Sequence, residues 1–186
     1  MSSFGSRRLA SKLFVIAGNA SSGKDNIISA TRELGSFHAQ VVRKYTTRQA
    51  TDDDGSEIIC RLTACGRPNP QFYEKDVERS CDIWYERNGN RYYIDSTEIW
   101  DGMKSGLFQV ISVTDAKTIN QLKKKFGNAV ELIYVHSDSE TTPVELDLFV
   151  ENFDKFDHVL IYEDKYEDLY DQLFRLFRAY EKGLLH

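Results

Sequence analysis

The stretch Leu13-Phe-Val-Ile-Ala-Gly18-Asn-Ala-Ser-Ser-Gly23-Lys24-Asp25 decides how the chain is read. Residues 13–17 are a continuous apolar run, which predicts a strand buried on both faces of a parallel sheet. Residues 25–34 then carry Ile27, Ile28, Ala30 and Leu34 at helical spacing, with Gly35 as the stop. Between strand and helix, Gly18, Gly23 and Lys24 fill the fixed places of the pattern G-x-x-x-x-G-K. Glycines at those places let successive N–H groups converge into a concave nest for phosphate oxygens. The helix that follows adds the positive end of its dipole. The expected contacts to a bound phosphate chain are therefore Gly18, Asn19, Ala20, Ser21, Ser22, Gly23, Lys24, Asp25 and Asn26, with the Lys24 ammonium reaching the β- and γ-phosphates. Asp25 stands where such loops carry Ser or Thr, and its carboxylate is a hard oxygen ligand for Mg²⁺.

Outward from this stretch, residues 39–43 read as a second strand. From 45 to 106 apolar runs shorten and turn residues cluster at 52–56, 66–70 and 88–90. Residues 83–86 and 91–94 flank the 87–90 turn as a β-hairpin, and 44–106 reads as a small inserted subdomain. Residues 96–104 predict a helix capped by Ser96, with Glu98 in its first turn and Gly106 beyond its end. Strands at 108–113, 130–135 and 158–162 then alternate with helices at 116–126, 144–153 and 166–182, the last using Leu169, Leu173, Leu176, Phe177 and Tyr180. Alternation of this kind implies a doubly wound parallel sheet with a core over about 12–43 and 107–182, because parallel neighbours need crossovers.

Composition bounds the function. A chain of 186 residues holds one α/β domain. A net charge of −5 argues against non-specific contact with nucleic acid or acidic membranes. Residues 1–11 are basic and Ser-rich without the apolar core of a signal peptide, so a flexible lead-in is expected. Cys60, Cys65 and Cys81 lack metal-binding spacing and read as reduced thiols of a cytoplasmic protein. Asp52-Asp53-Asp54 reads as a solvated turn, His136 and His158 as packing or surface residues, and Leu184 and Leu185 as a contact for a homo-oligomer.

The chain resembles the guanylate-kinase-like branch of P-loop kinases over about residues 12–180. Beside the loop, Tyr45-Thr46-Thr47-Arg48 followed by Asp54-Gly55-Ser56-Glu57 is similar to that family's T-T-R…G-E segment. Gly89-Asn90-Arg91-Tyr92-Tyr93-Ile94 is similar to the segment that closes over the acceptor phosphate. The G-K-D ending and the G-x-R-Y-x-I string are closer to ribose 1,5-bisphosphate phosphokinase than to guanylate kinase. The resemblance implies a P-loop NTPase fold, ATP and Mg²⁺ as donor and cofactor, and a phosphorylated small-molecule acceptor. It also implies catalytic roles for Lys24 and Arg48, and acceptor binding by Arg48 and Tyr93, with Arg91 as a further candidate.

The chain departs from that pattern in several places. The family's second acceptor arginine is replaced near Thr51, and the tyrosine after its G-E segment by Ile58. Its guanine-reading glutamate falls near Trp84 or Tyr85, with Glu86 one or two places off. Its next acidic contact falls near Ser112 or Thr114, with Asp115 adjacent, and Tyr162 takes the place of an asparagine near the adenine. The arginine-rich lid is reduced, for no arginine lies between Arg91 and Arg175. Without replacement, that loss costs roughly 4–7 kcal/mol of transition-state stabilisation. The expected function is ATP-dependent phosphoryl transfer to a nucleoside monophosphate or ribose phosphate. The alternative is a catalytically degenerate nucleotide-binding or protein-interaction module on the same scaffold. A third reading borrows an arginine from a neighbouring subunit.

Overall fold

Six consecutive buried residues, Leu13–Gly18, form the central strand β1 of the computed structural model, which describes residues 11–18, 23–35, 39–74, 76–137 and 155–185. β1 lies between β7 (Phe108–Ser112) and β8 (Val130–Ser137), with β2 (Ala39–Val41) and β9 (His158–Tyr162) at the edges, all parallel in the order β2-β7-β1-β8-β9. Alternate side chains of β1 serve opposite faces. Phe14 and Ile16 pack with α1 (Lys24–Glu33) and α6 (Tyr166–Glu181). Leu13, Val15 and Ala17 pack with α4 (Ser96–Lys104) and α5 (Ala116–Phe126). That two-sided burial is why the run is apolar throughout. The expected helix at 144–153 and the expected reduced lid, like residues 1–10 of the lead-in, lie outside the described residues.

The chain changes sheets after Val41. Val42 still donates its N–H to the Val110 carbonyl (2.8 Å), but Lys44 donates to Glu57 (2.8 Å) and opens β3 (Lys44–Gln49). The strand expected at 39–43 therefore stops at Val41, and a separate strand, β3, begins in the second sheet at Lys44. In the second sheet, β3 pairs in parallel with β4 (Ile58–Leu62) and antiparallel with β6 (Asn90–Ile94), which forms a hairpin with β5 (Ile83–Arg87). Its outer face carries Tyr45, Ile59 and Tyr93 under Phe72 of α2 (Pro70–Glu74) and Val77 of α3 (Val77–Ser80). The inner face turns Ile83, Tyr85 and Ile94 into the main core, which ties the two sheets together.

One further expectation is corrected. The cap of α4 is Asp95, whose carboxylate accepts the Thr97 N–H (2.8 Å), while the Ser96 hydroxyl donates to Asp82 (2.7 Å). α4 itself belongs to the main core, with Ile99 fully buried and Gly102 drawn so close over Gln109 that a Cβ there would meet its amide. Of the two C-terminal leucines, Leu184 is exposed, whereas Leu185 packs against the core. Among the described residues no helix is long and apolar enough to cross a membrane, and the three cysteines are free thiols.

Phe14 anchors the first core, with ring centroids 4.9 Å from Phe177, 5.1 Å from Tyr180 and 5.5 Å from Phe108. Phe14→Ala is expected to cost about 3–5 kcal/mol, read as a lower urea midpoint at unchanged slope.

Candidate functional site

β1 and its neighbour β7 send their following helices to opposite faces: α1 packs with the first core and α5 with the second. The chain thereby leaves a crevice beyond the carboxyl ends of these two strands, the position where open α/β sheets bind ligands. Gly18 and Ser112 are the last residues of those strands.

At this crevice Gly23 holds a left-handed φ of 84° and serves as the N-cap of α1, and having no side chain it supplies no side-chain cap. A Cβ on Gly23 would stand 2.8 Å from the Tyr162 ring, so the end of β9 packs directly on the loop and only glycine fits. Lys24 is buried, and its ammonium donates to the Gly18 carbonyl (2.5 Å), which folds the side chain back across the loop. Asp25 is exposed in the first turn of α1 and Asn26 is half-buried beside it. Asn19, Ala20, Ser21 and Ser22 lie outside the described residues. Among the described residues no three carboxylate, His or Cys side chains cluster as a metal site. The donor set thus fits Mg²⁺ only as one carboxylate, Asp25, supplemented by oxygens of a phosphate ligand.

Facing the loop is the inner side of the second sheet, set by strand alternation. Lys44, Thr46 and Arg48 alternate along β3, and Tyr92 lies directly across from Thr46. Arg48 donates through Nε to the Tyr92 hydroxyl (3.3 Å). The Tyr92 ring stacks on Tyr85 at 5.0 Å and 6°. Tyr93 and Arg91 occupy the alternate positions, and the structure does not bring them to Arg48. Tyr93 is buried in the outer cluster with its hydroxyl 3.4 Å from Glu78, and Arg91 is exposed, 5.8 Å from the centre of the Trp84 ring. In a strand a one-residue step reverses the face, so Tyr92 takes the place expected of Tyr93.

Arg48 already holds an anion. Its guanidinium grips the Asp54 carboxylate with both terminal nitrogens, one at 2.7 Å, and also donates to the Gln49 carbonyl (2.9 Å). Asp54 further accepts the Thr51 N–H (2.7 Å). The Arg48 hydrogen bonds draw the Asp54 carboxyl down to about 2, and burial pushes the neighbouring Cys60 thiol up to about 11. The acidic turn expected to be merely solvated is therefore fastened to the site through one of its three carboxylates. Glu57, next along, pairs with Arg32 at the end of α1, binding this turn to the loop's own helix.

Lys44 escaped the motif-based reading altogether. It is buried, and its ammonium donates to the Ser112 carbonyl and to the Ser112 hydroxyl (3.1 Å). Burial pushes it down to about 8; Asp25 opposes this, Lys24 and Arg87 add to it, and Asp115 opposes it again. A lysine at the first position of a short strand, one place before an outward-facing tyrosine, is the signal that alternation offers for it. Asp115 caps α5, accepting the Thr118 N–H and hydroxyl (both 2.7 Å). Trp84 is exposed on the outer face of the hairpin, and Tyr85 fills the inner position near which the resemblance puts a base-reading glutamate.

No protein-family model matches the chain, and no curated protein matches it. Among solved structures it is similar to guanylate kinase from Anaplasma phagocytophilum, with a TM-score of 0.64 and 13% identity over 92% of this chain and 86% of that one. The chain has a guanylate-kinase-like α/β fold.

The Arg48–Asp54 pair makes a signed pH prediction. The Asp54 carboxyl lies below its ordinary 3.8, so its stabilisation is complete above about pH 4 and fades as pH falls towards 2. Asp54→Asn is expected to lower unfolding free energy by about 1–2 kcal/mol at pH 7, allowing for solvent screening, and by little at pH 2. Urea titrations of both proteins at the two pH values check it.

Proposed function

We propose that this chain binds MgATP and transfers its terminal phosphoryl group to a phosphorylated small molecule, a nucleoside monophosphate or a ribose phosphate. One observation carries the reading. The buried Lys24 ammonium lies on the Gly18 carbonyl beside an uncapped helix start and a left-handed Gly23, at the crevice between β1 and β7. Amides, helix dipole and ammonium converge there on one point, and a polyphosphate chain is the ligand that matches them. In this reading Lys24 exchanges the Gly18 carbonyl for phosphate oxygens, and Asp25 holds Mg²⁺, which neutralises charge on the phosphates. An acceptor oxygen attacks the γ-phosphorus, the bond to the β–γ bridging oxygen breaks, and that electron pair leaves with ADP. The resemblance of the Gly-Lys-Asp ending to ribose 1,5-bisphosphate phosphokinase favours a ribose phosphate among the acceptors.

Arg48 and Tyr92 orient the acceptor in this reading. Arg48 now grips a carboxylate in the fork geometry that a phosphate would use, so an acceptor phosphate must displace Asp54. The same occupied fork favours a second reading, a nucleotide-binding module without turnover, in which Asp54 permanently replaces the acceptor.

Isothermal titration with MgATP is expected to show binding that Lys24→Ala weakens about 10–100-fold, the loss of one charge-assisted contact. A coupled assay across nucleoside monophosphates and ribose phosphates is expected to show turnover that Lys24→Ala abolishes. Binding without turnover on any acceptor would select the second reading, and no binding by the folded protein would remove both.

A further inference from the structure

The crevice has a second ammonium that no motif assigns. Lys24 rests on the carbonyl that ends β1, and Lys44 rests on the carbonyl that ends β7. Ile16 pairs with Ser112 in the parallel register, so Gly18 lies two residues beyond it on the neighbouring strand. The two carbonyls are consequently on the order of 8 Å apart, so the two ammonium groups that rest on them serve one crevice. Lys44 reaches this point from the second sheet, on the same strand and face as Arg48, and therefore stands between the loop and the acceptor side.

Its surroundings favour an anionic ligand. The ionic groups that act on Lys44 are Lys24, Arg87, Asp25 and Asp115, three cations with Lys44 itself against two carboxylates. Asp115 is spent on the N-terminus of α5, and Asp25 is exposed. A buried ammonium is costly unless paired. Ser112 supplies two neutral acceptors, and among the described residues the third N–H of Lys44 has none. A tether between two sheets needs no charge, since a hydroxyl or amide would bridge β3 and β7 at lower desolvation cost.

We propose that Lys44 is a second phosphate-binding cation of this site, contacting an oxygen of the phosphoryl group held between Lys24 and Arg48. The proposal rests on the phosphate-binding reading above. In it Lys44, delivered by the acceptor-side sheet, supplies positive charge at the transfer point in a chain without arginine between Arg91 and Arg175.

The test uses inorganic tripolyphosphate, which has neither base nor sugar, titrated calorimetrically into the full chain without metal. Wild type is expected to bind. Lys44→Met is expected to bind at least tenfold more weakly, and Lys44→Arg, which keeps the charge, within about threefold of wild type. A merely structural lysine would lower the melting temperature of Lys44→Met without changing its affinity. Equal affinity in Lys44→Met, with loss in Lys24→Met, overturns the proposal and leaves the phosphate loop standing. Absence of wild-type binding overturns both. Should Lys44→Met not fold, amine acetylation of wild type followed by peptide mass spectrometry decides. Tripolyphosphate should slow modification of Lys44 and Lys24 while leaving exposed Lys104 unchanged; protection of Lys24 alone refutes the proposal.

Discussion

The molecule is organised by the opposite departure of two neighbouring parallel strands. β1 leads to a helix on one face of the sheet and β7 to a helix on the other, so among the described residues a crevice opens between Gly18 and Ser112. The backbone groups at that edge must still be satisfied, because an orphaned buried carbonyl is expensive. Two lysines satisfy two of them. Each thereby comes to rest with its charge at the mouth of the crevice.

The second sheet is positioned by the same constraint. β3 starts where the chain leaves β2, so its first side chain already lies over the end of β7. Ile83, Tyr85 and Ile94 then seat the inner face on the main core, and the Glu57–Arg32 pair fastens the far turn to α1. The inner face is basic and aromatic, with Lys44, Arg48, Arg87, Tyr85 and Tyr92, in a chain of net charge −5. A local concentration of cations within an acidic protein focuses attraction on small anions and away from polyanionic surfaces. Asp54 holds one of those cations in the meantime, as an internal carboxylate in a fork that suits phosphate.

Much of this was legible beforehand. The buried strand, the helix at Ala116–Phe126 and the strand at His158–Tyr162 follow from apolar runs, periodicity and capping residues, which are local properties. Tyr93 lies on the face of β6 away from Arg48: a motif names residue types, whereas the face of a strand depends on pairing register. The helix cap fell on Ser96 instead of Asp95 for a similar reason: the Ser96 hydroxyl was already engaged by Asp82, fourteen residues away.

The amino-acid order alone set the expectation of a phosphate nest after the first strand, because the glycines, the helix start and Lys24 all fall within eight consecutive residues. It did not determine what surrounds that nest. Lys44 on Ser112, Tyr92 beside Arg48 and Asp54 in the Arg48 fork join residues from 6 to 68 positions apart. Strand pairing within the second sheet, and its packing on the first, decide which of them meet, since register and burial are not properties of the motifs themselves.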